Sequence, residues 1–121
     1  MKKTVIIGAS KNPARYSYIA ASRLKDYGHE FVPVGLREGL LFDQPILDIR
    51  KKPVIEGVDT VTLYVSPKNQ DGLDEYILAL RPKRVIFNPG TENPELEQRL
   101  EEADIEVTES CTLVMLRSGQ Y

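Results

Sequence analysis

Thr4-Val5-Ile6-Ile7-Gly8-Ala9-Ser10-Lys11-Asn12-Pro13-Ala14-Arg15-Tyr16-Ser17 is the stretch that decides how this chain is read. Thr4 to Ile7 are β-branched and are followed by glycine, with no polar alternation, the pattern of a strand buried on both faces. Ser17 then fits the N-cap of a helix running to Gly28, its C-terminal stop. A loop between a strand end and a helix start presents backbone amides that can cradle a phosphate. Gly8 and Ala9 keep bulk away from such a group, while Ser10 and Ser17 offer hydroxyls. Lys11 and Arg15 offer charge, and the planar guanidinium of Arg15 makes the better phosphate fork. An ordinary strand-to-helix turn with solvated bases is the competing account of the same residues.

The same alternation continues outward from this stretch. Ala20, Leu24 and Tyr27 share one face of the first helix, and Phe31-Val32-Pro33-Val34-Gly35 is a second strand. Asp59 to Val65 is a third strand, after which Ser66-Pro67 has the form of an N-cap and first helical proline. Leu73, Ile77 and Leu80 form the inner stripe of that helix, which Arg81-Pro82 ends. Val85-Ile86-Phe87 is a fourth strand, and Asn88-Pro89-Gly90 is a turn in which Gly90 serves the backbone. Asn93-Pro94 opens a helix with Glu95 and Glu97 at its positive end and Leu96, Leu100 and Ala103 inward. Ile105 to Thr108 is a fifth strand, and Ser110 caps a last helical stretch ending near Arg117. Leu36 to Val58 reads as an irregular connection with a short strand or helical turn. Strict alternation predicts an α/β fold: a three-layer, doubly wound, mainly parallel sheet of about five strands, Rossmann-like, in a single domain over residues 1–121. Ligands of such sheets sit outside the carboxyl ends of the strands, so the loops after Gly8, Val34, Val65 and Phe87 are the ones to inspect.

Composition narrows the partners. Sixteen basic against eighteen acidic residues leave a net charge of −2, which argues against a nucleic-acid groove or a polybasic membrane patch. The apolar runs are strand-length, far short of the roughly 20 residues that cross a bilayer. A single cysteine fits a reducing compartment, and the expected location is the cytoplasm.

No catalytic constellation emerges. His29, the one histidine, stands at the entrance of the second strand and reads as a surface or boundary residue. Cys111 has no histidine near it in sequence and reads as a buried or capping residue; no Cys/His group has metal-ligand spacing. Glu95, Glu97, Glu101 and Glu102 read as a solvated helix face. The loop is not G-x-G-x-x-G, and the second strand ends Val34-Gly35-Leu36-Arg37 without the carboxylate that holds the ribose of NAD. Arg37 instead suits a phosphorylated ribose, as in NADP or the 3′-phosphoadenosine end of coenzyme A. Ser66 and Lys68, after the third strand, can hydrogen-bond a diphosphate or a pantetheine amide.

The runs Val5-Ile6-Ile7-Gly8-Ala9-Ser10, Asn12-Pro13-Ala14-Arg15-Tyr16-Ser17-Tyr18 and Phe31-Val32-Pro33-Val34 resemble the small stand-alone coenzyme A-binding proteins. Those are related to the nucleotide-binding domain of the succinyl-CoA synthetase α subunit. The resemblance implies that Gly8, Ala9 and Ser10 border the CoA diphosphate and that Arg15 and Ser17 complete that site. It implies that Val34, Gly35 and Arg37 flank the adenosine, with Ser66 and Lys68 across the crevice. Relatives commonly read V-N-P after the second strand, where this chain has Val34-Gly35-Leu36. The expectation is therefore a binder of CoA or acyl-CoA, not an enzyme, with a homo-oligomer or a protein partner left open. The alternatives are an NADP-binding, reductase-like domain using Arg37, and a ligand-free scaffold for a protein partner.

Overall fold

The computed structural model of the chain describes residues 2–121. Among the described residues the elements run β1 (Thr4–Ile7), α1 (Tyr16–Asp26), β2 (Phe31–Gly35), β3 (Leu40–Leu41), β4 (Gln44–Pro45), β5 (Leu47–Asp48) and β6 (Thr60–Leu63). They continue as α2 (Leu73–Leu80), β7 (Arg84–Phe87), α3 (Pro94–Glu102), β8 (Glu106–Glu109) and α4 (Thr112–Ser118). Six strands form one parallel sheet in the order β5-β2-β1-β6-β7-β8. The five expected strands are all present; the sixth, β5, adds two residues at the edge beside β2. β3 and β4 form a separate antiparallel hairpin, turned through Phe42 and Asp43 at positive φ.

Alternation within the unbroken apolar strands sorts the core into two layers. Val5, Ile7, Val61, Leu63, Val85 and Phe87 pack with Ile77, Leu96 and Leu100 from α2 and α3. Ile6 lies on the other face with Ala21, Leu24 and Leu116 from α1 and α4. All four residues of β1 are buried, as a strand covered on both faces requires.

Four local expectations are corrected. Ser17 is not the cap of α1: Arg15 is the N-cap residue and Ser17 is buried inside the first turn. Ser66-Pro67 opens only one 3-10 turn, Pro67–Asn69, and α2 begins at Leu73. Tyr27 and Ala103 are exposed, because each is the C-cap residue where the chain leaves helical phase. Ser110 does not cap α4 either; Cys111 is its N-cap, with no side-chain capping bond. The cap comes from far away in sequence, since Thr112 N–H donates to Asn88 Oδ1 at 2.9 Å. Asn93 does cap α3, accepting from Leu96 N–H while Glu97 accepts from Asn93 N–H, a reciprocal box.

Candidate site at the sheet switch point

β1 leads to β2 on one side, and the chain then returns to β6 on the other, so the strand order reverses between β1 and β6. The crevice of a doubly wound sheet opens at that point, above the carboxyl ends of the two strands. Gly8 lies there with φ of +94°, and a Cβ on it would come within 2.8 Å of the Tyr64 carbonyl oxygen. Glycine is thus required twice at this position, by its dihedral and by the close approach of two backbones. Tyr64 N–H donates to the Ile7 carbonyl at 2.8 Å, which seats the loop after β6 against β1. The Tyr64 hydroxyl is buried without a hydrogen-bond partner, and burial pushes its pKa up to about 12.

Gly8 and Ala9 do not offer their amides to solvent. Both N–H groups donate to the Val34 carbonyl, at 2.9 and 3.0 Å. Val34 itself is wholly buried in the core, so it reaches the crevice only through its backbone. Gly35 completes this junction: a Cβ there would stand 2.5 Å from the Ala9 carbonyl oxygen. β2 and the loop after β1 therefore touch backbone to backbone at Gly35.

Within the loop from Gly8 to Ser17, the amides left without an intramolecular partner are those of Ser10, Lys11, Tyr16 and Ser17. Between them Asn12 shapes the loop. Its N–H donates to Ser10 Oγ at 3.0 Å, its Oδ1 accepts from Ala14 N–H at 3.0 Å, and its carbonyl accepts from Arg15 N–H at 3.0 Å. Ser10 Oγ accepts there and keeps its own proton to give. Arg15, extended at φ −87° and ψ 141°, turns the chain into α1, whose positive end faces the loop. Lys11 lays its aliphatic stem across Gly39, which brings it to the loop that carries Arg37. Lys11, Arg15, Arg37 and Lys68 are all exposed, and among the described residues none is in an ion pair. Ser66 Oγ accepts from Asn69 Nδ2 at 3.2 Å within its own turn.

A polar bracket that sequence reading missed fixes the far wall. Gln70 Nε2 donates to the carbonyls of Val65 and Thr91, and its Oε1 accepts from Asn93 Nδ2, each at 2.8 Å. Asn88 Nδ2 donates to Thr62 Oγ1 at 2.7 Å and to the Leu63 carbonyl at 2.9 Å. Together they tie the loops after β6 and β7 to one another. Asparagine beside proline and glycine signals a turn; nothing local in sequence signals a partner two dozen residues away. His29 and Cys111 stay apart: His29 Nδ1 accepts from Lys2 N–H at 3.1 Å at the amino edge of the sheet, whereas Cys111 is half-buried at the carboxyl edge. Among the described residues no group of His, Cys, Asp or Glu could hold a metal ion, and no helix is long and apolar enough to cross a membrane.

A parallel, doubly wound sheet carrying this loop at its switch point is a Rossmann-like α/β domain. The chain belongs to the family described as the CoA binding domain, which matches residues 2–117. It is similar to a solved structure described only as an uncharacterized protein, with 57% identity, a TM-score of 0.96, and 100% of this chain and 98% of that chain covered. A Thermus thermophilus protein is 26% identical with a TM-score of 0.86, covering 99% of this chain and 90% of its own. A conserved hypothetical protein from Pyrococcus furiosus is 28% identical with a TM-score of 0.77, covering 89% and 92%. No curated protein matches the chain. Family membership supports a coenzyme A-binding role and a small-molecule ligand.

Proposed function

We propose that the protein binds coenzyme A, free or acylated, at the switch-point crevice and does not transform it. The observation that carries this reading is the set of partnerless amides at Ser10, Lys11, Tyr16 and Ser17, beside the positive end of α1. Four N–H donors at a strand-to-helix junction match the needs of a diphosphate. Ser10 adds a hydroxyl proton, and Arg15 adds a charged fork at the first helical turn. In this reading Lys11, whose stem lies against Gly39, and Arg37 two residues before that glycine take the 3′-phosphoadenosine end. Ser66 and Lys68 border the pantetheine side. Gly8 and Ala9 contribute no free amide, both being held by the Val34 carbonyl, while Gly8 and Gly35 permit the close backbone approaches beneath the loop. What supports binding without catalysis is the position of His29, the sole histidine, at the opposite edge of the sheet.

The test is thermal unfolding of the purified protein with CoA, acetyl-CoA, NADP, NAD and ATP. A ligand that binds only the folded chain raises the melting temperature by mass action. Stabilisation by CoA and acetyl-CoA beyond that by ATP and NADP is expected. Stabilisation by NADP beyond CoA would replace this reading with a reductase-like one, and no shift with any nucleotide would leave a scaffold.

A further inference from the structure

Away from the crevice, the chain entering β6 carries a feature that the binding role does not use. After the 3-10 turn Ile49–Lys51, Lys52 takes a left-handed conformation at φ 46° and swings Pro53–Ile55 onto α2. Tyr76 Oη donates to the Pro53 carbonyl at 2.8 Å, and Ile55 packs against the core. The segment is thus pinned on both sides of Val54, yet Val54 itself is 91% exposed. A branched apolar side chain is thus presented to water on a fixed strap. Beside it runs a groove of about 230 Å³ between the strap and α2, apolar along Pro53, Ile55, Tyr76, Ala79 and Leu80. Lys52 and Glu75 also line it, and among the described residues neither has an ion-pair partner.

One patch therefore holds a knob, a hole, a positive and a negative group, which is what an isologous contact demands of a surface. We infer that this face joins two copies of the chain about a two-fold axis, with Val54 of each copy in the groove of the other. Lys52 then faces Glu75 of the partner subunit, and the symmetry repeats the pair on the other flank. Charge complementarity of the patch with itself sets the occupant as a second copy. The eight residues that line the groove are fewer than the roughly 20–30 a side of a standard interface, so the contact belongs to the small, transient class. The strap and the last turns of α2 lie toward the amino edge of the sheet, so pairing leaves the crevice open in both copies.

Sedimentation velocity from about 5 to 500 μM covers transient self-association. The wild-type mass should rise from monomer to dimer across it. Val54→Glu should stay monomeric throughout with an unchanged melting temperature, because the residue touches little in the single chain. Lys52→Glu should weaken association more than tenfold, and Lys52→Glu with Glu75→Lys should restore it. A wild-type chain that stays monomeric, a Val54→Glu chain that still pairs, or a double variant that fails to recover would overturn the inference. CoA binding is measured separately and is expected to be the same in Val54→Glu, so the two readings fail independently.

Discussion

Replacing Gly8 by alanine asks two things of the backbone at once, and two other glycines separate them. At Gly8 the dihedral is φ +94° and the new Cβ would sit 2.8 Å from a backbone oxygen that no side-chain rotation can move. At Gly90 φ is +93° with nothing within 4 Å of the added carbon, so only the dihedral resists. At Gly35, an ordinary strand residue, the Cβ would meet the Ala9 oxygen at 2.5 Å, so only contact resists. A left-handed dihedral costs an L-residue about 1–2 kcal/mol and overpacking about 1–3, against about 0.4–1 regained from a stiffer unfolded chain. Gly8→Ala should therefore destabilise by about 1–4.5 kcal/mol, Gly90→Ala by about 0–1.5 and Gly35→Ala by about 0–2.5. Urea unfolding with linear extrapolation resolves these differences. A Gly8→Ala protein no less stable than Gly90→Ala would show that the loops after β1 and β6 do not meet backbone to backbone, and the floor of the crevice would have to be redrawn.

Arg15→Ala should weaken CoA by about 1.5–3 kcal/mol, the range for hydrogen bonds to charged groups, with unfolding unchanged; calorimetric titration showing equal affinity would make Arg15 a solvated residue. Asn88→Ala should cost about 2–4 kcal/mol of stability, because the Thr112 amide and the Leu63 carbonyl each lose a buried partner, and a loss under about 1 kcal/mol by urea melt would contradict that. Desolvation first, then the charges of Lys2 and Arg84, hold the His29 pKa below its ordinary 6.5. The unfolded chain then takes the proton first, so stability is whole above about pH 6.5 and falls as pH drops through the lowered folded value. His29→Asn, which keeps an acceptor near Nδ1 but does not titrate, should flatten that acid limb; an unchanged limb would place its origin elsewhere.

What could be read from the sequence divides by the range of the signal. β1 and the helices α1 and α3 were legible because burial writes itself into neighbouring residues, as Thr4 to Ile7 and the Asn93-Pro94 opening show. The last cap was not, because it is supplied by Asn88 across the sheet, while Ser110, the residue with the local signature, does not cap. Ser17 misled in the same manner: a hydroxyl at the loop's end suggests a cap, and the fold instead buries it two residues past the cap. β5 and the β3–β4 hairpin have two residues per strand, too few for any period to show. In the site, the loop's residue types were legible, but their division of labour was not. Gly8 and Ala9 spend their amides on Val34, a pairing fixed only once β1 and β2 lie side by side.

That division of labour can be observed directly. A titration of CoA into isotope-labelled protein, followed through the backbone amide signals, reports each N–H separately. The largest shifts are expected at Ser10, Lys11, Tyr16 and Ser17, with Gly8 and Ala9 moving less because the Val34 carbonyl already holds them. Saturating shifts centred on any other edge of the sheet, or none at all, would contradict a diphosphate site at the start of α1.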